Sequence, residues 1–518
     1  MSLHSPRKVL SLDRDQETDR TPTYGQILKS SSIIGGAQGL NLLIGMVRTK
    51  LVALLLGPSG VGLVGLYQSA TALLGTLAGL GITKSGVRQI AEAAGSGDEE
   101  RVGRTVCVLR RTCWLTGFLG MVLTVALARP LSVWTFGNGE RAVPMAILGL
   151  TFLLGSISGG QMSLIQGFRR ISDLARLQVW SAAASTIISI GLYGWLGERG
   201  IVPVLLVSAL LNLGLSWWFA RRVAVPAARV TWGETFTEAR GLIGLGLAFM
   251  WSGLLAAAVT LATRAMILRG FGMEANGIYQ AAWGISGLFA GFILGAMGAD
   301  FYPRLTEAAH DNCEVNRLVN EQTEVGMLLA LPGLLGTLVF SPLVIRIFYS
   351  AKFTEAAELL PWFLLGVWGR VVSWPLGYIQ LAKGAARWFA VTETVFSLLH
   401  LGMVWAGLRG VGLKGAAVAY AALYGLYILG MLWAAARLSD FRWSRSVALL
   451  FLAAASAVVA TFILMKFAPD LPARILGGFL VLCSGFYCVR QICRRLGTQH
   501  RLSRMVLQLP LIGQRLAG

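Results

Sequence analysis

GLIGLGLAFMWSGLLAAAVTLAT, residues 241–263, is a run of 23 residues without a charge. A helix needs about 20 apolar residues to cross the hydrocarbon core of a bilayer. About fourteen apolar stretches of comparable size lie between Ile27 and Val489. Their approximate bounds are 27–56, 62–90, 107–128, 143–168, 175–196, 201–220, 241–268, 276–302, 323–348, 358–382, 388–408, 414–436, 447–467 and 473–489. The 518-residue chain is 55% hydrophobic and 14% charged, against about 25% charged in an average soluble domain. A water-soluble core does not account for that balance, so the solvent of the fold is lipid. In lipid, segments this long satisfy their backbone groups only as helices. The predicted fold is all-α and polytopic, with about 14 transmembrane helices. The 63 glycines suit helices that pack closely in a bilayer.

The net charge is +20, which first suggests nucleic acid. The distribution argues otherwise. With the N-terminus inside and alternating sides, about 31 Lys and Arg fall on inner loops and tails and about 12 on outer ones, the positive-inside bias. Arg264 and Arg370 fall within spans. The pairs Arg110-Arg111, Arg169-Arg170, Arg221-Arg222 and Arg494-Arg495 anchor helix ends at an anionic inner leaflet. No nucleic-acid partner is expected. The first 25 residues are polar with no apolar signal core and are expected to be a cytoplasmic tail. Both termini are placed in the cytoplasm.

The chain repeats itself. At a shift of 212, Gly60, Gly65, Tyr67, Gln68, Ala70, Gly75, Ala78 and Gly79 meet Gly272, Gly277, Tyr279, Gln280, Ala282, Gly287, Ala290 and Gly291. An even number of spans per repeat gives both halves one orientation, a parallel pseudo-two-fold arrangement found in transporters. The expected organisation is a polar tail (1–26), a six-helix N-lobe (27–220), a cytoplasmic linker (221–240) and a six-helix C-lobe (241–436). An extra helix pair (447–489) and a basic cytoplasmic tail (490–518), with leucines spaced for a surface helix, follow.

Function should sit at charges held at membrane depth. Arg370 lies about twelve residues into its span between Leu364, Leu365, Val371 and Val372. A guanidinium near the bilayer centre costs at least about 2.5–3.5 kcal/mol, so it needs a wet cavity or a partner. Arg48 and Lys50 come late in a long first span; they line a cavity or snorkel to the outer interface. Arg264 ends the uncharged run quoted above, at a cavity or simply at the outer boundary. Asp300 and Glu393, near inner span ends, bind a coupling cation or pair with Arg304 or Arg387. The Tyr67-Gln68 and Tyr279-Gln280 pairs offer hydrogen bonds to sugar hydroxyls or pack helices. Most of the 16 tryptophans are expected in interfacial belts.

Enzyme signatures are absent: no HExxH, Walker A or GxSxG motif occurs. Neither the six cysteines nor the four histidines have spacing that suggests a disulfide framework or a zinc site. No cofactor or metal is expected. Transport would draw on a substrate gradient, a coupled ion or the membrane potential.

LLLGPSGVGLVGLYQ (54–68) followed by GTLAGLGITKSGVRQIAE (75–92) resembles the N-terminal signature of Wzx-type flippases, which include O-antigen translocases and lipid III flippases. QGFRRISDLA (166–175), TRAMILRGFGMEANGIYQA (263–281) and KFTEAAELLPWFLLGVWGRVVSWPLGYIQLAKGAARWFAVTE (352–393) follow in the family's order. The resemblance covers roughly 27–436. It implies the multidrug/oligosaccharidyl-lipid/polysaccharide exporter superfamily, with two six-helix lobes around a central cavity and alternating access. It implies an undecaprenyl-diphosphate-linked oligosaccharide as substrate in a bacterial inner membrane. By position, Arg48 or Lys50, Arg264 and Arg370 would be the cavity's basic residues. Many relatives carry an acid three residues before the last of these, where this chain has Val367. Expected partners are the lipid-linked glycan, membrane lipids, an O-antigen polymerase and a chain-length regulator, around a monomer. Within the superfamily the rivals are a lipid II or a multidrug exporter; a glycan polymerase is disfavoured because every outer loop is short.

Overall fold

The computed structural model describes the backbone of residues 21–496, without the side chains of 21–35, 84, 239–249, 289, 292–293, 295–300, 470 and 496. The predicted tails therefore lie largely outside the described residues. The helices are α1 (Thr21–Gly79), α2 (Ile82–Gly95), α3 (Glu99–Phe136), α4 (Ala142–Gly167), α5 (Ile171–Leu196), α6 (Ile201–Ala220) and α7 (Trp232–Glu307). They continue as α8 (Asn312–Val339), α9 (Ser341–Phe348), α10 (Ala356–Ala382), α11 (Ala386–Val411), α12 (Lys414–Ser439), α13 (Arg445–Phe467) and α14 (Asp470–Leu496). No strand occurs among the described residues. The protein is an all-α polytopic membrane protein.

Eleven helical stretches are long and apolar enough to cross a membrane. Three of them, 36–79, 171–220 and 250–288, are 44, 50 and 39 residues long. Each is interrupted: at Gly57 (φ 64°, ψ −171°), at a short 3-10 turn over Gly197–Gly200, and at Gly272 (φ 87°, ψ 179°). The eleven stretches differ in number from the fourteen expected, and each of the three longest carries such an interruption. The conformation at Gly57 and Gly272 is one that only glycine adopts readily. Pro58 then starts the second arm of α1, where its missing N–H is not needed.

Two predicted spans end earlier than expected. The span placed at 62–90 stops at Gly79, because Leu80 (φ 46°) and Gly81 (φ 69°) turn the chain. The following α2 is amphipathic, with Ile82, Ile90 and Ala93 buried and Arg88 and Glu92 exposed as an i,i+4 ion pair. The span placed at 323–348 is α8 followed by the separate short helix α9.

The chain forms two compact units. Among the described residues one comprises 21–48, 78–123 and 147–246. Its core joins Ile82, Ile90, Leu109, Leu164, Ile165, Leu177 and Phe219. Small residues let the backbones approach: a Cβ on Gly167 would meet Ile90 Cβ at 2.7 Å, and one on Gly160 would meet Cys113 Sγ at 2.8 Å. The predicted linker is not a free tether in this unit. Arg111 Nη1 donates to the Val230 carbonyl (2.8 Å) and Thr235 Oγ1 (3.1 Å) and lies over the Trp232 ring. Arg104 pairs with Glu234 and Glu238 at 3.2 and 3.1 Å. Thr231 and Glu234 form a reciprocal cap at the start of α7. The Thr231 amide and hydroxyl, and then Arg104, hold the Glu234 carboxyl below the usual carboxylate range.

The other unit comprises, among the described residues, 49–77, 124–146 and 247–496. Its axis is α10, buried along most of its length against α8 and α12. Gly366 and Gly369 face Tyr420 and Tyr424 of α12 so closely that a Cβ at 369 would sit 2.9 Å from Tyr424 Cβ. At the far end, Arg495 of α14 clamps Glu324 of α8 through both carboxylate oxygens, at 2.9 and 3.0 Å.

Candidate functional site: a buried cationic and tyrosine-rich cluster

The second unit holds the first candidate. Arg264 and Gln280 are 16 residues apart on α7, which in an unbroken helix is about 24 Å along the axis. The break at Gly272, eight residues from each, folds the two arms together, and Arg264 Nη2 donates to Gln280 Oε1. The guanidinium also lies over the Tyr279 ring, 5.6 Å from its centroid. Gly65 in the second arm of α1 makes the space, since a Cβ there would collide with the guanidinium and with Gln280 Oε1. Arg264 is 3% exposed. Its Nε and Nη1 are buried without a hydrogen-bond partner. Among the described residues no carboxylate pairs with it. A buried cation with two idle donors is an arrangement that favours an anion.

Arg370 is the second cation of this unit, part-buried in the middle of α10. Its guanidinium lies among the hydroxyls of Tyr420, Tyr424 and Tyr427. Those tyrosines recur at i, i+4 and i+7 and line one face of α12. Tyr427 in turn donates to Glu393 Oε1 at 3.2 Å, and Ser252 Oγ donates to Glu393 Oε2 at 2.7 Å. So Glu393 faces Ser252 and Tyr427 rather than Arg387. Where relatives were expected to place an acid, Val367 is buried and the phenols take over as Arg370's partners.

Aromatic rings connect the two cations. Tyr279 stacks on Trp283 (6.1 Å), Trp283 meets Tyr420 edge-on (5.2 Å), and Tyr420, Tyr424 and Tyr427 follow at 4.9 and 5.7 Å. One run of side chains thus leads from Arg264 through Arg370 to Glu393.

The remaining candidates go elsewhere. Lys50 Nζ donates to the Arg346 carbonyl at 2.5 Å, capping α9 in place of a missing intrahelical partner. Arg269 Nη2 reaches the last turn of α3, donating to the Trp134 carbonyl and to the Val133 carbonyl at 2.9 Å, which also accepts from the Gly137 amide. Arg48 belongs to the first unit, in the field of the buried Tyr193. Gln68 is exposed, while its repeat partner Gln280 serves Arg264. Tyr67 meets Arg141 as Tyr279 meets Arg264, so each repeat tyrosine carries an arginine. The Asp300 side chain lies outside the described residues. Sequence reasoning missed Tyr420, Tyr424 and Tyr427, although AYAALYGLY (419–427) carries their helical spacing openly. Ser252 and Arg141 had no such signal. Among the described residues no group of three or more His, Cys, Asp or Glu side chains converges as a metal site would.

The capping role of Lys50 yields a prediction. Lys50→Met should cost about 0.3–1 kcal/mol of stability. Transport per folded molecule should stay near wild type, as measured by a thermal melt beside a transport assay normalised to membrane content.

Residues 51–358, more than half of the chain, match the family described as polysaccharide biosynthesis protein. The chain belongs to that family. The lipid III flippase of Escherichia coli (strain K12) is 25% identical over 406 residues, 75% of this chain and 92% of that protein. The amylovoran biosynthesis protein AmsL of Erwinia amylovora is 26% identical over 303 residues, 56% of this chain and 76% of that protein. Among solved structures, the lipid II flippase MurJ in an inward closed conformation aligns with a TM-score of 0.66 at 12% identity, over 89% of this chain and 99% of that one. An inward-facing MATE family multidrug transporter of the MOP superfamily aligns with a TM-score of 0.60 at 16% identity, over 78% and 95%. These likenesses establish the transporter fold for this member of the polysaccharide biosynthesis family.

Proposed function

We propose that this protein is a non-enzymatic flippase. It would carry an undecaprenyl-diphosphate-linked oligosaccharide, an O-antigen or related repeat unit, from the cytoplasmic to the periplasmic face of a bacterial inner membrane by alternating access. The observation that carries this reading is Arg264, buried with two guanidinium donors idle and no carboxylate among the described residues to answer it. Nε and Nη1 could each donate a charge-assisted bond to phosphate oxygens of the headgroup. Arg370 would add a second positive charge, set among phenols and without a carboxylate partner among the described residues. The naming of relatives as a lipid III flippase and an amylovoran biosynthesis protein points to lipid-linked glycans. A carrier of cationic drugs would be served by acids where this cluster has arginines. A lipid II headgroup is also a sugar diphosphate, so lipid II export is the second reading. Arg48 and Gln68 remain candidate contacts, and Glu393, with Asp300, the candidate coupling groups.

The test is surface-glycan export in a flippase-deficient bacterium, with membrane content verified. Rescue by the wild type and loss in Arg264→Ala and Arg370→Ala is the expected result. Rescue by both variants would discard the site, and failure of the wild type across several glycan backgrounds with rescue of a lipid II flippase mutant would favour the second reading.

The membrane potential gives an independent prediction. A headgroup of charge about −2 moving outward from a negative cytoplasm gains roughly 4–5 kcal/mol at 100 mV, from about 2.3 kcal/mol per charge per 100 mV. Collapsing the potential in proteoliposomes should therefore slow outward flipping severalfold or more. A rate indifferent to potential would show that net negative charge does not cross.

A further inference from the structure

The sequence marks cytoplasmic helix ends with four arginine pairs, and the structure treats them differently. Arg111 is taken up by the linker, through Val230, Thr235 and Trp232. Arg495 is taken up by Glu324. The other two pairs meet. Arg170 Nη1 donates to the Arg222 carbonyl at 2.6 Å, closing the turn between α4 and α5 onto the end of α6. Arg170 Nη2 also pairs with Asp173 at 2.6 Å. Arg169, Arg221 and Arg222 are exposed, and none has a carboxylate partner among the described residues. Four guanidiniums against Asp173 leave this junction at +3.

These side chains are held rather than loose. Arg222 lies over Trp218 at 3.9 Å and near Phe219 at 5.0 Å, and Arg221 lies over Trp217 at 5.0 Å. Arg169 takes a left-handed backbone (φ 53°), a conformation that side-chain-bearing residues rarely adopt, and it presents its side chain to solvent. Trp217 and Trp218 are 56% and 40% exposed, as befits rings at the level of lipid headgroups.

We infer that this junction binds the headgroup of an anionic phospholipid carrying two phosphates, of the diphosphatidylglycerol class, in the cytoplasmic leaflet. Guanidinium forks match phosphate oxygens in pairs. Two arginine pairs on two adjoining chain ends suit two phosphates on one headgroup, and a charge of +3 exceeds what a single monoanionic lipid neutralises. Trp217 and Trp218 fix the depth at which the phosphates stand. The site is independent of what the protein transports. It differs from the usual clustering of basic residues at inner helix ends because tertiary contacts have joined two clusters and left three of four charges without an ionic partner.

The test uses the full chain in nanodiscs of zwitterionic lipid, titrated with diphosphatidylglycerol and read as lipid-bound fraction by native mass spectrometry. Each basic residue at an anionic surface is worth about fivefold in binding, so the Arg221→Gln/Arg222→Gln variant should bind about twenty-fivefold more weakly. Arg169→Gln removes an exposed side chain with no ionic partner, so it should keep the fold and lose about fivefold. Arg494→Gln should bind as the wild type does. Phosphatidylglycerol at equal phosphate should bind more weakly than the two-phosphate lipid. Unchanged binding in the Arg169 and Arg221/Arg222 variants, an equal loss in Arg494→Gln, or equal binding of phosphatidylglycerol would each overturn the proposal.

Discussion

Replacing Arg264 by methionine is expected to abolish glycolipid export while leaving the folded protein as stable as the wild type or more so. The two halves of this expectation have one cause. Arg264 is 3% exposed, and its partners are the Gln280 amide oxygen and the Tyr279 ring, both neutral. Among the described residues no counter-charge joins them, so the desolvation of a full positive charge is offset only in part. Exchange of a whole buried ion pair for well-packed apolar side chains is commonly neutral or stabilising by about 1–4 kcal/mol, and a cation without a counter-charge has less attraction to lose. Methionine is flexible enough to fill the space. The same idle donors are what a phosphate would use. Two hydrogen bonds to a charged group, at about 1.5–3 kcal/mol each, correspond to a loss of more than about a hundredfold in transport. The measurement is surface-glycan export beside a thermal melt of purified protein. A well-folded Arg264→Met protein that exports at the wild-type rate would remove Arg264 from the substrate site. A large drop in melting temperature with export lost would make it a structural cation.

The second large effect is expected at Gly277. The repeated segments meet in this unit: Asn276 Nδ2 donates to the Gly62 carbonyl at 2.9 Å, and Gly277 lies against Pro58. A Cβ on Gly277 would collide with the Pro58 carbonyl group, its carbon 2.6 Å away and Pro58 Cα 3.0 Å away. The obstacle is backbone, so no side chain can swing aside. Gly277→Ala must push the second arm of α7 off α1, breaking the Asn276 bond and moving Gln280 relative to Arg264. Overpacking of this kind costs about 1–3 kcal/mol or more. The control is Gly287→Ala, ten residues further along the same arm, where a Cβ would meet nothing within 4 Å. Alanine there should gain up to about 1 kcal/mol of helix propensity. Equal melting temperatures for the two variants would show that the α1–α7 contact is not tight in the folded protein.

Much of the fold was legible in the order of residues because burial in lipid is a property of segments. The uncharged run 241–263 announces a crossing whatever it packs against. The Tyr-Gln pair repeated at a shift of 212 drew attention to residues 279 and 280, and in the structure Gln280 accepts from Arg264. The interruptions were less legible. Gly57 and Gly272 are two among 63 glycines, and hydropathy does not distinguish a glycine that packs from one that bends. The span expected at 62–90 was too long for the same reason, since Leu80 and Gly81 turn the chain without a polar residue to mark it.

The site was legible as a list of charges but not as an assembly. Lys50 and Arg48 looked equivalent, two residues apart on one helix. One caps a helix 296 residues away, and the other lies in a different compact unit. Glu393 was expected to bind a coupling cation or to pair with an arginine; it is bonded to Tyr427 and Ser252, and the phenols of α12 connect it to Arg370's surroundings. Those tyrosines were visible at helical spacing, yet spacing alone does not separate a phenol that packs from one that solvates a cation.

By itself the sequence determined the solvent of the fold, its all-helical class and the small set of cations that lipid makes expensive. Transfer free energy sums over a segment and needs no partner to be read. Tertiary structure alone decided which cations became caps, which met phenols and which was left with idle donors. A hydrogen bond depends on placing two atoms within a few tenths of an ångström, and here those atoms come from residues 16 to 296 positions apart, joined by a single bent glycine or by packing across helices.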